Sequence, residues 1–412
     1  MLKAISLYTG VGGLDFGMEA AGFKTVAAVE MDRASCAAIR ANRRRWGLLQ
    51  DDIHSIGSQA ILEKAGLRKG EADLLIAGPP CQPFSKSGYW ASGDALRLDD
   101  PRATTLTAFL RVLRDTKPRA FLLENVHGLA YNEKSEGLAY LLRGIEQVNR
   151  AAGTSYSVSW SVLNAADYGV PQTRERVFLI GSRNGKPFTF PPPTHAPPSE
   201  QLTLGEGLEP YRTAWDAIGD LPRDPKGEES LAVNGKWGDL LPSIPEGHNY
   251  LWHTNRGGGM PLFGWRRRYW TFLLKLSKRR PAWTIQAQPG PYVGPFHWRN
   301  RRLTTAELCR LQTFPDGLHF EGSRNEVQRM IGNAVPSLLA EVLGREIREQ
   351  LLGSSPRGPL KLMPPRRADV PEREPVRPVP ERFWHLVGDH ADHPGKGKGS
   401  RARARAERHR LE

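Results

Sequence analysis

Cys81 stands in Gly78-Pro79-Pro80-Cys81-Gln82-Pro83-Phe84, directly after the apolar run Asp73–Ala77. Prolines on both sides predict a rigid turn that exposes the side chain, and an exposed thiol becomes a nucleophile once ionised. Cys36 and Cys309 fall in helical patterns and read as small buried hydrophobes. Three cysteines with no close pair build neither a disulfide framework nor a zinc knuckle, so no metal site is expected.

Three further constellations sit at the ends of apolar runs. In Glu124-Asn125-Val126 a carboxylate closes the run that starts at Ala120. Such a residue is a loop carboxylate or helix cap, or, if burial raises its pKa, a proton donor beside Cys81. In Gln172-Thr173-Arg174-Glu175-Arg176 three long polar side chains alternate, which places Gln172, Arg174 and Arg176 on one face of a strand. Near the start, Tyr8-Thr9-Gly10-Val11-Gly12-Gly13 is followed by Glu30 at the end of the next apolar run. Glycines admit a ligand close to the backbone, and a carboxylate there can accept both ribose hydroxyls, which suggests a nucleoside-type cofactor. The dinucleotide register G-x-G-x-x-G is absent, and the turn taken alone is equally a structural one.

These residues need a scaffold that brings strand ends together. Ala4–Tyr8, Thr25–Glu30, Asp73–Ala77, Ala120–Glu124 and Arg176–Gly181 read as buried strands, alternating with helical stretches that include one beginning at Asp32, Thr104–Lys117 and Gly137–Ala152. That order predicts an α/β, doubly wound, Rossmann-like parallel sheet, with ligands at the carboxyl ends of its strands. From Lys186 to about residue 300 the chain is rich in proline and glycine and reads as a smaller, loop-rich domain. Helical signals return at Thr304-Thr305-Ala306-Glu307, a capping-box pattern, and from Pro336 to Leu352. Residues 353–412 are proline-rich and poor in apolar residues, and a disordered basic tail is expected there.

The 412 residues carry a net charge of +14, and the charge is concentrated. Residues 251–302 hold eleven Lys and Arg and not one Asp or Glu, interleaved with Trp252, Trp265, Trp270, Trp283 and Trp298. Cations of that density, with aromatics among them, suit a surface that neutralises phosphates; the candidates are Arg256, Arg266, Arg267, Arg268, Lys275, Lys278, Arg279, Arg280 and Arg299. No apolar run approaches the roughly 18 residues of a membrane span, and the N-terminus lacks a secretory pattern, so a cytoplasmic protein without a membrane partner is expected.

Taken together and in order, the motifs resemble those of the DNA (cytosine-5) methyltransferase family. The resemblance rests on the glycine turn, Pro80-Cys81-Gln82, Glu124-Asn125-Val126, Gln172-Thr173-Arg174-Glu175-Arg176, Arg302-Leu303-Thr304, Arg310-Leu311-Gln312 and Gly332-Asn333-Ala334-Val335-Pro336. It covers roughly residues 3–184 and 300–350, and it implies a domain plan. Residues 1–185 would form the catalytic and cofactor-binding domain, 186–300 a target-recognition domain, and 301–352 the motifs that complete the catalytic domain. The implied cofactor is S-adenosylmethionine, held by Tyr8, Gly10, Gly12 and Gly13, by Glu30 at the ribose, by Met31, Asp52 and Ile53 at the adenine, and by Pro80, Asn333 and Val335. The family's usual aromatic at the first motif position is Tyr8 here, and the residue after the ribose acid, often Trp in the family, is Met31.

The resemblance implies that the Cys81 thiolate adds to C6 of cytosine, Glu124 stabilises charge at N3, Arg176 holds O2 and Arg174 buttresses the acid. A base inside a duplex cannot present C6 to a thiol, so the cytosine must be flipped out. Ser85 and Ser87, on the loop after Cys81, and Gln172 join the basic segment as expected DNA contacts. The implied substrate is double-stranded DNA with a specific target sequence, the protein a monomer, and its possible companion a restriction endonuclease. A tRNA cytosine-5 methyltransferase would share the catalytic motifs, but the long basic insert favours duplex DNA. Intact Cys81, Glu124 and Arg176 argue against a DNA-binding module without activity.

Overall fold

A computed structural model describes residues 1–80, 104–130, 136–197, 207–223, 225, 231–265 and 268–388. They divide into two compact units: Met1–Glu229 with Arg279–Gln288 and Thr304–Val370, and Ser230–Lys278 with Pro289–Leu303 and the chain from Pro371.

The first unit is built on β1 (Leu2–Leu7), α1 (Gly13–Ala20), β2 (Phe23–Glu30), α2 (Arg33–Asn42), β3 (Leu48–Gln50), α3 (Ser58–Ala65), β4 (Leu74–Ala77), α4 (Thr104–Thr116), β5 (Ala120–Val126), α5 (Glu136–Ala152), β6 (Ser157–Asn164), β7 (Gln172–Thr173) and β8 (Glu175–Ser182). Seven strands form one sheet in the order β3-β2-β1-β4-β5-β8-β6. The strands alternate apolar side chains between two cores. Ile5, Leu7, Leu75, Phe121 and Leu179 face α3, α4 and α5, whereas Ala4, Leu74, Ile76, Leu122 and Ile180 face α1 and the final helix. Burial on both faces explains the continuous apolar runs, and the sheet is doubly wound as expected.

Two features depart from the expectation of parallel strands. Ser157–Asn164 is a strand, and β8 pairs antiparallel with both β5 and β6, while β1 to β5 pair in parallel among themselves. Local signals otherwise act where they occur. The Asp32 carboxylate accepts from Ser35 N–H at 2.8 Å and caps α2. Beyond the sheet lie β9 (His195–Ala196), β10 (Glu209–Pro210), α6 (Ala214–Ile218) and β11 (Ala282–Trp283), the last of which pairs with β7. Thr304 and Glu307 form a reciprocal capping box on α7 (Thr305–Leu311), followed by α8 (Arg324–Asn333) and α9 (Ser337–Leu352).

The unit boundaries differ from the expected 186–300 domain. The chain stays with the first unit to Glu229 and returns to it at 279–288, because Ala282 N–H bonds to Pro171 O and β11 completes the β7 pair. Among its described residues the second unit has little regular structure beyond short 3-10 turns, and its core gathers Trp237, Leu241, Tyr250, Phe263, Phe272 and Phe296.

Residues 353–388 are also not the disordered tail that their composition suggests. In the first unit the buried Glu341 carboxylate accepts from the backbone N–H groups of Lys361 and Leu362, at 2.8 and 2.9 Å, and from Arg345. In the second, Phe383 stacks on Trp237 with ring centroids 5.6 Å apart, and Lys278 pairs with Glu246 and Glu374. A proline-rich strap needs no periodic pattern: single apolar residues and backbone donors aimed at buried acids hold it. Phe383→Ala should therefore cost about 3–5 kcal/mol, the usual range for deleting a buried phenylalanine ring. Urea unfolding monitored by tryptophan fluorescence should show it, and an unchanged midpoint would mean that the segment does not pack.

Candidate active site

The carboxyl ends of β1, β2, β4 and β5 open on a cavity of about 450 Å³ within the first unit. Tyr8, Gly10, Gly13, Glu30 and Met31 line one side, and Pro79, Pro80, Glu124, Arg174 and Arg176 line another. Asn333 and Val335, from the end of α8 and the turn after it, also reach the wall. The chain thus brings most of the expected residues to one place from positions more than 300 residues apart.

The glycine turn is ordered by Glu30. Its carboxylate accepts Gly10 N–H at 2.7 Å and Asp32 N–H at 2.8 Å, and burial raises its pKa despite those donors. Tyr8 adopts φ +54°, a conformation rare for an aromatic residue, and its hydroxyl donates to Thr105 O at 2.8 Å. Gly10 has φ +56°, and a Cβ built there would meet nothing within 4 Å. A Cβ on Gly13 would lie 2.5 Å from Val335 O, so glycine is required for the 333–335 turn to dock. Gly12, at φ +94°, does not line the cavity, because Trp46 covers it.

The other wall centres on Glu124. Its carboxylate pairs with Arg176 Nε at 3.0 Å, and Arg174 acts on it electrostatically. Burial outweighs both cations, so the acid is held above its ordinary pKa. Arg174 is itself buried and donates to Gly332 O at 3.0 Å and Ile285 O at 3.4 Å. Asn125 reaches back and donates to Pro79 O at 3.3 Å, fixing the backbone that leads into Cys81. Cys81, Ser85 and Ser87 lie outside the described residues.

Asp52 acts electrostatically on Tyr8 of the cavity wall, whereas Ile53 is packed in the core above the sheet and its carbonyl accepts from Arg111. One expectation does not hold. Gln172 is fully buried and makes no surface for DNA. It accepts Ile285 N–H at 3.1 Å and donates to Leu311 O and Gln312 Oε1, clamping three segments of the first unit.

The cations of segment 251–302 also sort by burial. Lys275 is 3% exposed and donates to Ile244 O, with burial pulling its pKa down to about 8. Lys278 is 2% exposed inside its pairs with Glu246 and Glu374. Neither can reach phosphate. Arg256, Arg268, Arg279 and Arg280 are exposed and Arg299 partly so, whereas Arg266 and Arg267 lie outside the described residues. Asp15 and Arg329 carried no signal in the sequence. The Arg329–Asp32 pair, at 3.0 Å, joins two elements of the cavity wall, but nothing in the spacing of residues 297 apart signals it.

A seven-stranded sheet with one reversed strand, β8, between β5 and β6, a glycine turn after β1 and an acid near the end of β5 defines an S-adenosylmethionine-dependent methyltransferase fold. The family profile for C-5 cytosine-specific DNA methylases matches residues 2–349, so the chain belongs to that family and is a DNA (cytosine-5) methyltransferase. It is 41% identical over 373 residues to the type II methyltransferase M.SacI of Streptomyces achromogenes, covering 85% of this chain and 93% of that one. M1.HphI of Haemophilus parahaemolyticus is 33% identical over 84% of this chain and 86% of its own. Among solved structures, a putative DNA modification methyltransferase encoded within an E. coli prophage superimposes with a TM-score of 0.58 at 23% identity, covering 86% and 100% of the two chains. S. pombe Dnmt2 methyltransferase gives 0.54 at 17%, covering 86% and 99%.

The placement of Gln172 makes a distinct prediction. Gln172→Ala leaves buried backbone groups unpaired and should lower stability by about 2–3 kcal/mol. Thermal unfolding should register that loss; weaker DNA binding at an unchanged melting temperature would instead make Gln172 a DNA contact.

Proposed function

We propose that the protein methylates C5 of a flipped cytosine within a specific duplex DNA sequence, with S-adenosylmethionine as donor, as the modification enzyme of a restriction-modification system. The observation that carries this reading is one cavity bearing a buried Glu124, its pKa raised by burial, on one side and a glycine turn braced by Glu30 on the other. Its similarity to relatives named as type II methyltransferases supports the restriction-modification setting, with a cognate endonuclease as companion.

The residues present fit the cofactor. Gly10 faces open space where any side chain would intrude, Glu30 stands where a ribose would need acceptors, and Met31, 65% exposed on the cavity, offers a thioether to an adenine face. Asn333 and Val335 would complete the enclosure. When bound, S-adenosylmethionine supplies an electrophilic methyl on a positively charged sulfur.

The protein's part is to make C5 nucleophilic. Cys81 follows directly on Pro79 and Pro80, so its thiolate is the group to add to C6. Addition pushes electron density onto the ring, and Glu124, whose pKa burial raises, is the group to donate at N3. Arg176 stays beside that acid and holds O2, while Arg174 fixes the wall behind it. Loss of the C5 proton then lets Cys81 depart. Arg256, Arg266, Arg267, Arg268, Arg279, Arg280 and Arg299 are the proposed phosphate contacts, and Ser85 and Ser87 the contacts of the loop after Cys81. The second unit is the proposed target-recognition element. Among the described residues no helix is long and apolar enough to cross a membrane, and no group of three or more His, Cys, Asp and Glu is placed to hold a metal. The reading places the enzyme in the cytoplasm as a monomer.

The test is to incubate the protein with methyl-labelled cofactor and either duplex DNA or tRNA, then map the modified cytosines. Label in DNA at one recurring sequence is expected, and label in tRNA alone would overturn the reading. Glu124→Gln should lower the DNA rate by about 10²- to 10⁴-fold while cofactor affinity persists.

A further inference from the structure

Asp15 lies in the first turn of α1 and is fully shielded from solvent, yet it belongs to the cavity wall. Its carboxylate accepts Thr25 Oγ1–H at 2.8 Å and Ser6 Oγ–H at 3.0 Å, and Thr9 Oγ1 donates to Ser6 Oγ at 3.0 Å. Ser6 and Thr9 line the same cavity, so a chain of hydroxyls leads from the carboxylate into the glycine turn.

What Asp15 lacks is a cation. The cavity's other charges are accounted for: Arg176 and Arg174 serve Glu124, Arg329 pairs with Asp32, and Glu30 is taken by backbone N–H groups. Around Asp15 itself, Glu19 on the same helix is engaged by Arg43 and by Trp46 Nε1. Glu341, on the packed helix α9, is held by Arg345. Ser6, Thr9 and Thr25, from β1, the turn and β2, carry no charge. Among the described residues no Lys, Arg or His pairs with Asp15. A buried carboxylate without a counter-ion is costly, so such a group is driven toward its neutral form, and a positive charge brought into the adjoining cavity would favour its ionised form.

We infer that Asp15 is the electrostatic complement of the cationic sulfonium of the methyl donor, and that it discriminates the charged donor from its neutral thioether product. This rests on the cofactor reading above. Burial, aided by Glu19, lifts the Asp15 carboxyl to about 7, so the residue is partly protonated near neutrality in the free protein. A nearby positive charge lowers such a pKa by roughly 1–3 units. Linkage gives the sign: the sulfonium prefers ionised Asp15, so its affinity rises with pH through about 7, and binding below that pH releases a proton.

The experiment compares S-adenosylmethionine with S-adenosylhomocysteine in binding calorimetry on the full chain from pH 5.5 to 8.5. The two share the same α-amino group, so their affinity ratio isolates the sulfonium. For the wild type this ratio should shift toward the sulfonium by about tenfold or more across the range. Asp15→Asn should flatten it, weakening the sulfonium while leaving the thioether nearly unchanged. A second measurement needs no variant: at pH 6.5, in buffers of different ionisation enthalpy, proton release should accompany the sulfonium alone. Binding of both ligands with one pH profile, or equal losses in Asp15→Asn, would overturn the role of Asp15 and leave the cofactor reading intact. Binding of neither by the wild type would overturn both.

Discussion

A carboxyl group closing a buried strand must either keep its proton or find cations, and at Glu124 burial pushes toward the first while two arginines push toward the second. Arg176 sits at 3.0 Å, Arg174 lies behind, and burial still holds the acid above its ordinary pKa. The sheet's reversal makes the arrangement possible. Because β8 runs antiparallel to β5, Val126 faces Arg176 and Glu124 faces Phe178, so Arg176 is the diagonal neighbour of Glu124 on the same face. A parallel β8 would start at the opposite end of β5, roughly 20 Å away for seven residues of strand.

The remaining wall is assembled by clamps that have no chemistry of their own. Gln172 ties β7 to Ile285 and to the end of α7, Gln312 Nε2 donates to Ile331 O at 2.7 Å, and Arg174 holds Gly332 O. These contacts fix the end of α8, where Asn333 and Val335 meet a turn that only Gly13 permits. Both halves of the cavity therefore depend on the same buried polar framework, and unsatisfied groups inside it would be costly. Asp15 differs from this framework because its missing partner is a cation.

Much of this was legible in the residues. Continuous apolar runs between helical stretches specified a sheet covered on both faces, and Glu30, Glu124, Arg174 and Arg176 do lie on one cavity. Strand direction was not legible, since an apolar run has the same composition in either orientation, and β6 with its mixed exposure gave no such run. Gln172 read as a surface residue because alternation assigns a face but cannot say what covers it. Lys275 and Lys278 read as phosphate ligands because the acids that neutralise Lys278, Glu246 and Glu374, lie outside the acid-free segment. The strap at 353–388 escaped for a similar reason: its prolines signal disorder, while its anchors, Glu341 in the preceding helix and the distant Trp237, lie outside it.

In the proposed mechanism this buried acid works beside a covalent nucleophile at Cys81. Duplex DNA carrying fluorine at C5 of the target cytosine tests it directly, since the final loss of a C5 proton cannot occur and the thiol stays attached to C6. The prediction is a denaturation-resistant protein–DNA complex that forms only with S-adenosylmethionine, maps to the peptide containing Cys81 and is abolished by Cys81→Ser. Attachment at Cys36 or Cys309, or no adduct on a sequence that the enzyme methylates when fluorine is absent, would contradict it.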